Sequence, residues 1–324
     1  MFRTATSLAA LGFLFSPLAY AHGGSAPVAQ AAEPTPVTTT DFGSGIYMLV
    51  GRGGNLGVLT GEDGTFVIDS QYADMAPALL SAVNEIAGSS DVRFLLNTHW
   101  HGDHTGGNVA MADAGATIFA HDGVRKRLTS ENSRVIGGET QVIPPAEEAA
   151  WPVMTYSKHM TLNLNGQNIH IVHLPNAHTD GDSAVHFKDA NVLHTGDVMF
   201  KGRFPFVDVF SGGTFDGYIA ALEMMYEMSD DETRIIPGHG SEARRSDLME
   251  LRDVMVASVA AVEAEMAGGK SVEDIIAAEP LAEWSEDWGS GFINAETFIR
   301  LIHADLTSRG EAEEEPASDP HHHH

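Results

Sequence analysis

Residues 97–108 read Asn-Thr-His-Trp-His-Gly-Asp-His-Thr-Gly-Gly-Asn, and this stretch limits the fold more tightly than any other. His99, His101, Asp103 and His104 place four metal-capable side chains within six residues. Ahead of them, the apolar run Phe94-Leu95-Leu96 reads as a buried strand. Alternate side chains of a strand share a face, so His99 and His101 are expected to point one way and Trp100 the other, into packing. Gly102 lets the chain turn, Asp103 and His104 come off the bend, and Gly106 and Gly107 permit tight backbone where a helix starts near Asn108. One segment thus offers two imidazoles to one metal ion, and a carboxylate with an imidazole to a second. Imidazole suits zinc and iron, and carboxylate adds charge and a hard oxygen.

The His-x-His-x-Asp-His pattern resembles the signature of the metallo-β-lactamase superfamily. Three later residues complete the resemblance: His178 in Pro175-Asn176-Ala177-His178-Thr179, Asp197 in His194-Thr195-Gly196-Asp197, and His239 in Pro237-Gly238-His239-Gly240. Each lies just past a strand-like run, where the active sites of open sheets gather. The resemblance implies an α+β fold, the four-layer αββα sandwich. It assigns His99, His101 and His178 to a first metal, Asp103, His104 and His239 to a second, and Asp197 to both. It implies two Zn2+, with iron or manganese as other ions such ligands accept. It also implies hydrolysis of an amide or ester bond (β-lactam, lactone or related) by a hydroxide shared between ions about 3.5–4 Å apart. Asp103 is the candidate for handling the proton that reaches the leaving group. Asp69, in Ile68-Asp69-Ser70, and Asp182, four residues after His178, are candidates for holding ligand imidazoles. Lys201 and Arg203, just beyond Asp197, are candidates for fixing a substrate carboxylate. His121, His170, His173, His186 and His194 match no ligand position and read as packed or surface histidines.

The composition narrows the choice. The chain has 324 residues, 43% of them hydrophobic, which supports one large domain with a substantial core. Its formal net charge of -27 argues against a nucleic-acid partner and against docking on anionic lipid, leaving a small-molecule substrate. It contains no cysteine, so it has no disulfide, no thiol nucleophile and no thiolate ligand. Some β-lactamases of the family place a Cys on the second metal; Asp197 matches the wider hydrolase pattern instead. Lactamase, lactonase and glyoxalase II-type thioesterase activities stay open. An iron-dependent oxidoreductase of the same fold, oxidising persulfides, is the alternative from another class. The iron persulfide relatives need one metal only, and the di-iron relatives replace a motif His by Glu, whereas His101 is intact here.

Residues 1–21 read as a secretory signal peptide: Arg3, an apolar stretch over 8–18, then Ala19-Tyr20-Ala21. The mature chain is therefore expected to be secreted, in the periplasm, with no membrane attachment after cleavage. Residues 22–41, rich in Ala, Pro and Thr, read as a flexible linker, and 42–309 as the metallo-β-lactamase-like domain. Strands are expected at 46–50, 56–60, 65–68, 94–96, 117–120, 160–164, 169–174, 183–187, 192–195 and 234–236. Helices are expected at 74–86, capped by Asp74, and at 108–114, 122–129 and 215–228. A helical C-terminal extension follows over 246–266, 272–277 and 295–307. Residues 130–152 read as a long loop, and 310–324 as a disordered acidic and His-rich tail.

Overall fold

The computed structural model describes residues 35–136 and 139–314. The expected leader, residues 22–34 of the linker and the terminal histidines lie outside the described residues. The strands of the first half are β1 (Thr38–Gly43), β2 (Ile46–Val50), β3 (Leu56–Leu59), β4 (Phe66–Ile68), β5 (Phe94–Asn97) and β6 (Thr117–His121). After them come a separate hairpin, β7 (Asn132–Ile136) with β8 (Glu139–Ile143), and β9 (Met154–Tyr156). The second half has β10 (His159–Leu164), β11 (Gln167–His173), β12 (Ser183–Phe187), β13 (Val192–His194), β14 (Arg234–Ile236) and β15 (Ala243–Arg244). The helices are α1 (Ala76–Ala87), α2 (Gly102–Thr105), α3 (Asn108–Asp113), α4 (Asp122–Leu128), α5 (Phe215–Met228), α6 (Arg245–Ala267), α7 (Val272–Ala277), α8 (Ala282–Trp288) and α9 (Ala295–Glu314).

The strands order as β1-β2-β3-β4-β5-β6-β9 in one sheet and β10-β11-β12-β13-β14-β15 in the other. Their inner faces meet in one core, with Ile46, Phe66, Leu96 and Phe119 facing Ile169, Val185, Phe187 and Ile236. The outer face of the first sheet is covered by α1 through Leu79, Ala82 and Val83, and the outer face of the second by α5, α6 and α9 through Tyr218, Leu222, Met255 and Phe298. The result is the αββα sandwich of the metallo-β-lactamase fold, with added C-terminal helices. Each side chain taken fully out of water in such a core contributes about 1.5–3 kcal/mol. Strands covered on both faces carry no polar face: every residue of β12 is buried.

The connections between strands position the site. Each sheet begins antiparallel and turns parallel once: β4 pairs parallel with β5 and on to β6, and β13 pairs parallel with β14. A parallel pair needs a crossover, supplied by α1 in the first half and α5 in the second. The carboxyl ends of β4, β5, β13 and β14 therefore open on the same edge. Asp69, the 98–104 stretch, Asp197 and His239 follow those four ends.

Several expectations need correction. The segment 130–152 is not a single loop, since β7 and β8 pair from Asn132↔Ile143 to Ile136↔Glu139. The linker ends earlier than residue 41, because β1 begins at Thr38. Residues 310–314 continue α9 rather than opening a disordered tail. Asp74 does not cap α1; it lies in a preceding 3-10 turn, and its carboxylate takes Arg52 instead. β5 stops at Asn97, so His99 and His101 stand on the bend beyond the strand, while Trp100 is buried against Ala120, Val124 and Leu128 as expected. Among the described residues, no helix is long and apolar enough to cross a membrane.

Candidate metal centre

All seven expected ligands converge. His99, His101, His178 and Asp197 offer one set of ligand atoms, and Asp103, His104, Asp197 and His239 a second, each set lying within 4.8 Å. Asp197 belongs to both. It sits in a short 3-10 turn at the end of β13, buried, with its backbone oxygen accepting from the hydroxyl of Tyr218 at 2.9 Å. Its Oδ2 stands 3.7 Å from His99 Nε2, 3.6 Å from His178 Nε2 and 3.4 Å from His239 Nε2. Its Oδ1 lies 3.0 Å from His104 Nε2 without hydrogen-bond alignment.

The outer nitrogens of four of the five imidazoles are engaged, which orients the inner ones. His178 Nδ1 donates to the carbonyl of Phe206 at 2.6 Å. His101 Nε2 donates to Asp208 Oδ2 at 2.9 Å. His104 Nδ1 donates to Asp69 Oδ2 at 2.7 Å. Thr98 gives its hydroxyl proton to Asp69 Oδ2, so its oxygen accepts from His99 Nδ1 at 3.1 Å. When neutral, each of these rings turns a lone pair inward. His101 Nδ1 and His178 Nε2 face each other 2.8 Å apart, close enough to share one proton or to turn toward one metal ion. His99 Nε2, His104 Nε2 and Asp197 Oδ1 are buried with no hydrogen-bond partner. Buried polar atoms are rarely left so, and a metal ion satisfies all of them at once.

The electrostatics agree. Burial, with His104 beside it, holds His99 well below the ordinary imidazole value. Burial and His101 push His178 down to about 4. Both are neutral at pH 7 and available as ligands. Burial opposes the charge of His104, yet the carboxylates of Asp197, Asp69 and Asp103 together hold it well above the ordinary range. His239 is likewise raised to about 9 against its burial, by Asp197 and Asp103. Asp103 resists its burial and falls to about 2 beside His104 and His239.

Two close approaches leave no room for a side chain. A Cβ on Gly54 would lie 2.1 Å from His104 Cε1, and one on Gly238 would lie 2.1 Å from Asp197 Oδ1. Asn55 ties these two turns together, donating through Nδ2 to the carbonyls of Pro237 and Gly240 at 2.9 Å each.

The outer candidates divide. Asp69 holds His104 and also accepts from the backbone N–H of Thr98 at 2.7 Å. The Asp182 carboxylate holds no ligand imidazole: its two oxygens accept from the N–H and the hydroxyl of Thr179, closing the loop that carries His178. Lys201 does not reach toward substrate, because its ammonium pairs with Asp247 at the start of α6. Arg203 has neither an ion pair nor a hydrogen bond among the described residues. Asp208, the partner of His101, was not anticipated. Its one sequence signal is a lone acid in the apolar run Pro205-Phe206-Val207-Asp208-Val209-Phe210.

A sequence profile of the metallo-beta-lactamase superfamily matches residues 49–239, more than half of the chain and all seven ligand positions. The chain belongs to that superfamily. Within it, the chain is similar to the hydroxyacylglutathione hydrolase of Hyphomonas neptunium, 29% identical over 177 residues, which cover 53% of this chain and 55% of that protein. It is also similar to the acyl-coenzyme A thioesterase MBLAC2 of Bos taurus, 26% identical over 44% of this chain and 54% of that one. The chain thus spans about half the length of these curated relatives. The crystal structure of a metallo-beta-lactamase from Pontibacter korlensis superposes with a TM-score of 0.55 at 14% identity, covering 68% of this chain and 98% of that one, a likeness of fold. Members of the superfamily are metal-dependent hydrolases, and the two ligand sets fit that chemistry. Metal ions held there would supply Lewis acidity and a water acidic enough to react at neutral pH. The chain's own residues orient the imidazoles, keep Asp197 ionised between the sets, and leave Asp103, its side chain 22% exposed, at the solvent-facing edge of the second set.

Proposed function

We propose that this chain is an exported, periplasmic zinc hydrolase that opens an acyl bond, an ester or thioester in preference to a β-lactam. The observation that carries this reading is the shared position of Asp197 between two ligand sets, with buried unpartnered atoms that metal ions would satisfy. His99, His101, His178 and Asp197 would hold one zinc ion, and Asp103, His104, Asp197 and His239 the other. Two carboxylates would offset part of that charge, so an anionic substrate can approach. The oxygen of water adds to the acyl carbon, the C–S or C–O bond breaks, and the leaving group takes a proton delivered at Asp103. Arg203, unpaired, is the candidate to fix a substrate carboxylate. The names of the two curated relatives favour thioesters, and the leader-like residues 1–21 favour export.

The test is elemental analysis of active protein freed of His321–His324, together with turnover of a thioester, a lactone and a lactam. Two zinc ions per chain, with acyl-bond turnover abolished by chelation, are expected. One iron per chain in active protein would overturn the zinc reading in favour of redox chemistry. Two bound zinc ions without turnover of any of the three substrates would overturn the acyl-bond reading.

A further inference from the structure

Phe206 and Phe292 stand together on the flank of the first ligand set. The Phe206 ring lies 5.9 Å from that of His101 and 5.9 Å from that of His178. Phe292 meets it edge-on at 6.5 Å and 85°. At 79% exposure, Phe292 is the most exposed large hydrophobic side chain among the described residues. It lies in the connection from α8 to α9, and that connection is fastened to the segment carrying Phe206. Phe204 N donates to the carbonyl of Trp288 at 2.8 Å, and the Phe204 ring stacks on Phe298 at 4.4 Å. The stem of Arg203 covers Gly291, where a Cβ would come 3.1 Å from Arg203 Cδ. An aromatic ring held in water on a tethered connection, continuous with a ring beside the imidazoles, is suited to an apolar ligand.

We infer that Phe206 and Phe292 form an apolar wall that binds the alkyl chain of the substrate's acyl group, so that the site prefers medium-chain acyl groups to acetyl. The inference rests on the acyl-bond reading above. It follows from position: Asp103, which would serve the leaving group, belongs to the second ligand set, and the wall flanks the first. The acyl carbon lies between the sets, so its chain extends along the wall. Each methylene withdrawn from water tightens binding about fourfold.

The test compares wild type, Phe292→Ala and Phe292→Leu, all zinc-loaded. One readout is the ratio of kcat/KM for octanoyl and acetyl thioesters of one thiol. The other is the ratio of octanoate to acetate affinity by calorimetry, which needs no turnover. Phe292→Ala should lower both ratios about tenfold, and Phe292→Leu should restore most of the loss. Turnover with unchanged ratios would overturn the wall alone. Loss of the calorimetric preference in Phe292→Ala, with no thioester cleaved by wild type, would uphold the wall and overturn the acyl-bond reading. The exposed position of Phe292 means Tm should stay near that of wild type, so a changed ratio is not a folding effect.

Discussion

Asp69 Oδ2 lies 2.7 Å from His104 Nδ1, with both side chains wholly buried. The carboxylate fixes the ring so that Nε2 faces Asp197, and it raises the basicity of that nitrogen. Asp69 also adopts a φ of 65°, a left-handed conformation that Asn tolerates well. Asp69→Asn should therefore fold, yet hold the second metal about 10- to 100-fold more weakly. Competition with a chromophoric zinc chelator measures this. Affinity within twofold of wild type would mean that Asp69 serves Thr98 rather than the metal.

Asp208 and Asp182 should separate function from folding. Asp208 orients His101, and Asp208→Asn should weaken the first metal by about 10- to 100-fold. Asp182 accepts two hydrogen bonds from Thr179 and touches no ligand ring, so Asp182→Ala should cost about 1–3 kcal/mol of stability, read as a lower Tm, with zinc stoichiometry preserved. The assignments are reversed if Asp182→Ala loses zinc and Asp208→Asn keeps full affinity.

Asp197→Ala should be the most damaging single change. It removes the one side chain common to both ligand sets, so both zinc ions weaken together and activity should fall by more than the roughly 100-fold typical of an orienting partner. Retention of two zinc ions with near-normal turnover would refute the shared position.

Stability of the metal-free protein should fall in mild acid, and His194 supplies part of the reason. Its Nε2 donates to the carbonyl of Asn55 at 3.2 Å, and its Nδ1 accepts from the N–H of Gly196 at 3.2 Å. The second bond demands the neutral ring, and burial pushes His194 down to about 4. The unfolded chain takes up this proton near 6.5, earlier on acidification than the folded one. The contribution is thus fully present above pH 6.5 and is lost as pH falls toward about 4, amounting to as much as about 3 kcal/mol. Urea titrations at several pH values should show this slope, and His194→Gln, with no proton to gain, should flatten it. An unchanged slope in that variant would remove His194 from the account.

Lys201 and Arg203 should behave differently despite their proximity. Lys201→Ala breaks a partly exposed pair with Asp247 and should cost under about 1 kcal/mol, with no change in substrate preference. Arg203→Ala should raise KM for a carboxylate-bearing substrate by roughly 10- to 150-fold relative to a neutral ester. Equal KM shifts on both substrates would show damage to the connection around Gly291 instead.

What the sequence made legible was what short-range pattern encodes. The helix over Phe215–Met228 and the strand over Arg234–Ile236 fall at the residues expected, because apolar periodicity and flanking turns mark both ends. The seven ligands were legible because their chemistry is concentrated at strand ends. The β7–β8 hairpin was hidden by the surrounding prolines, although Gly137-Gly138 between Val135-Ile136 and Thr140-Gln141-Val142 is itself a hairpin signal. Asp208 was missed because its partner is 107 residues away in sequence. The misplacement of Lys201 has the same origin: its proximity to Asp197 was visible, whereas the carboxylate of Asp247 that claims it becomes a neighbour only through folding.

The ligands are drawn from both halves of the sandwich. His99, His101, Asp103 and His104 hang from the first sheet, and His178, Asp197 and His239 from the second, so ions bound there would act as rivets across a seam between two packed sheets. Withdrawing the ions leaves lone pairs and carboxylates facing one another along that seam, and parting the sheets there relieves the conflict. Metal supply would then govern how long the folded chain survives proteases as well as how fast it turns over. In a metal-poor compartment, the abundance of this protein would report the zinc available to it.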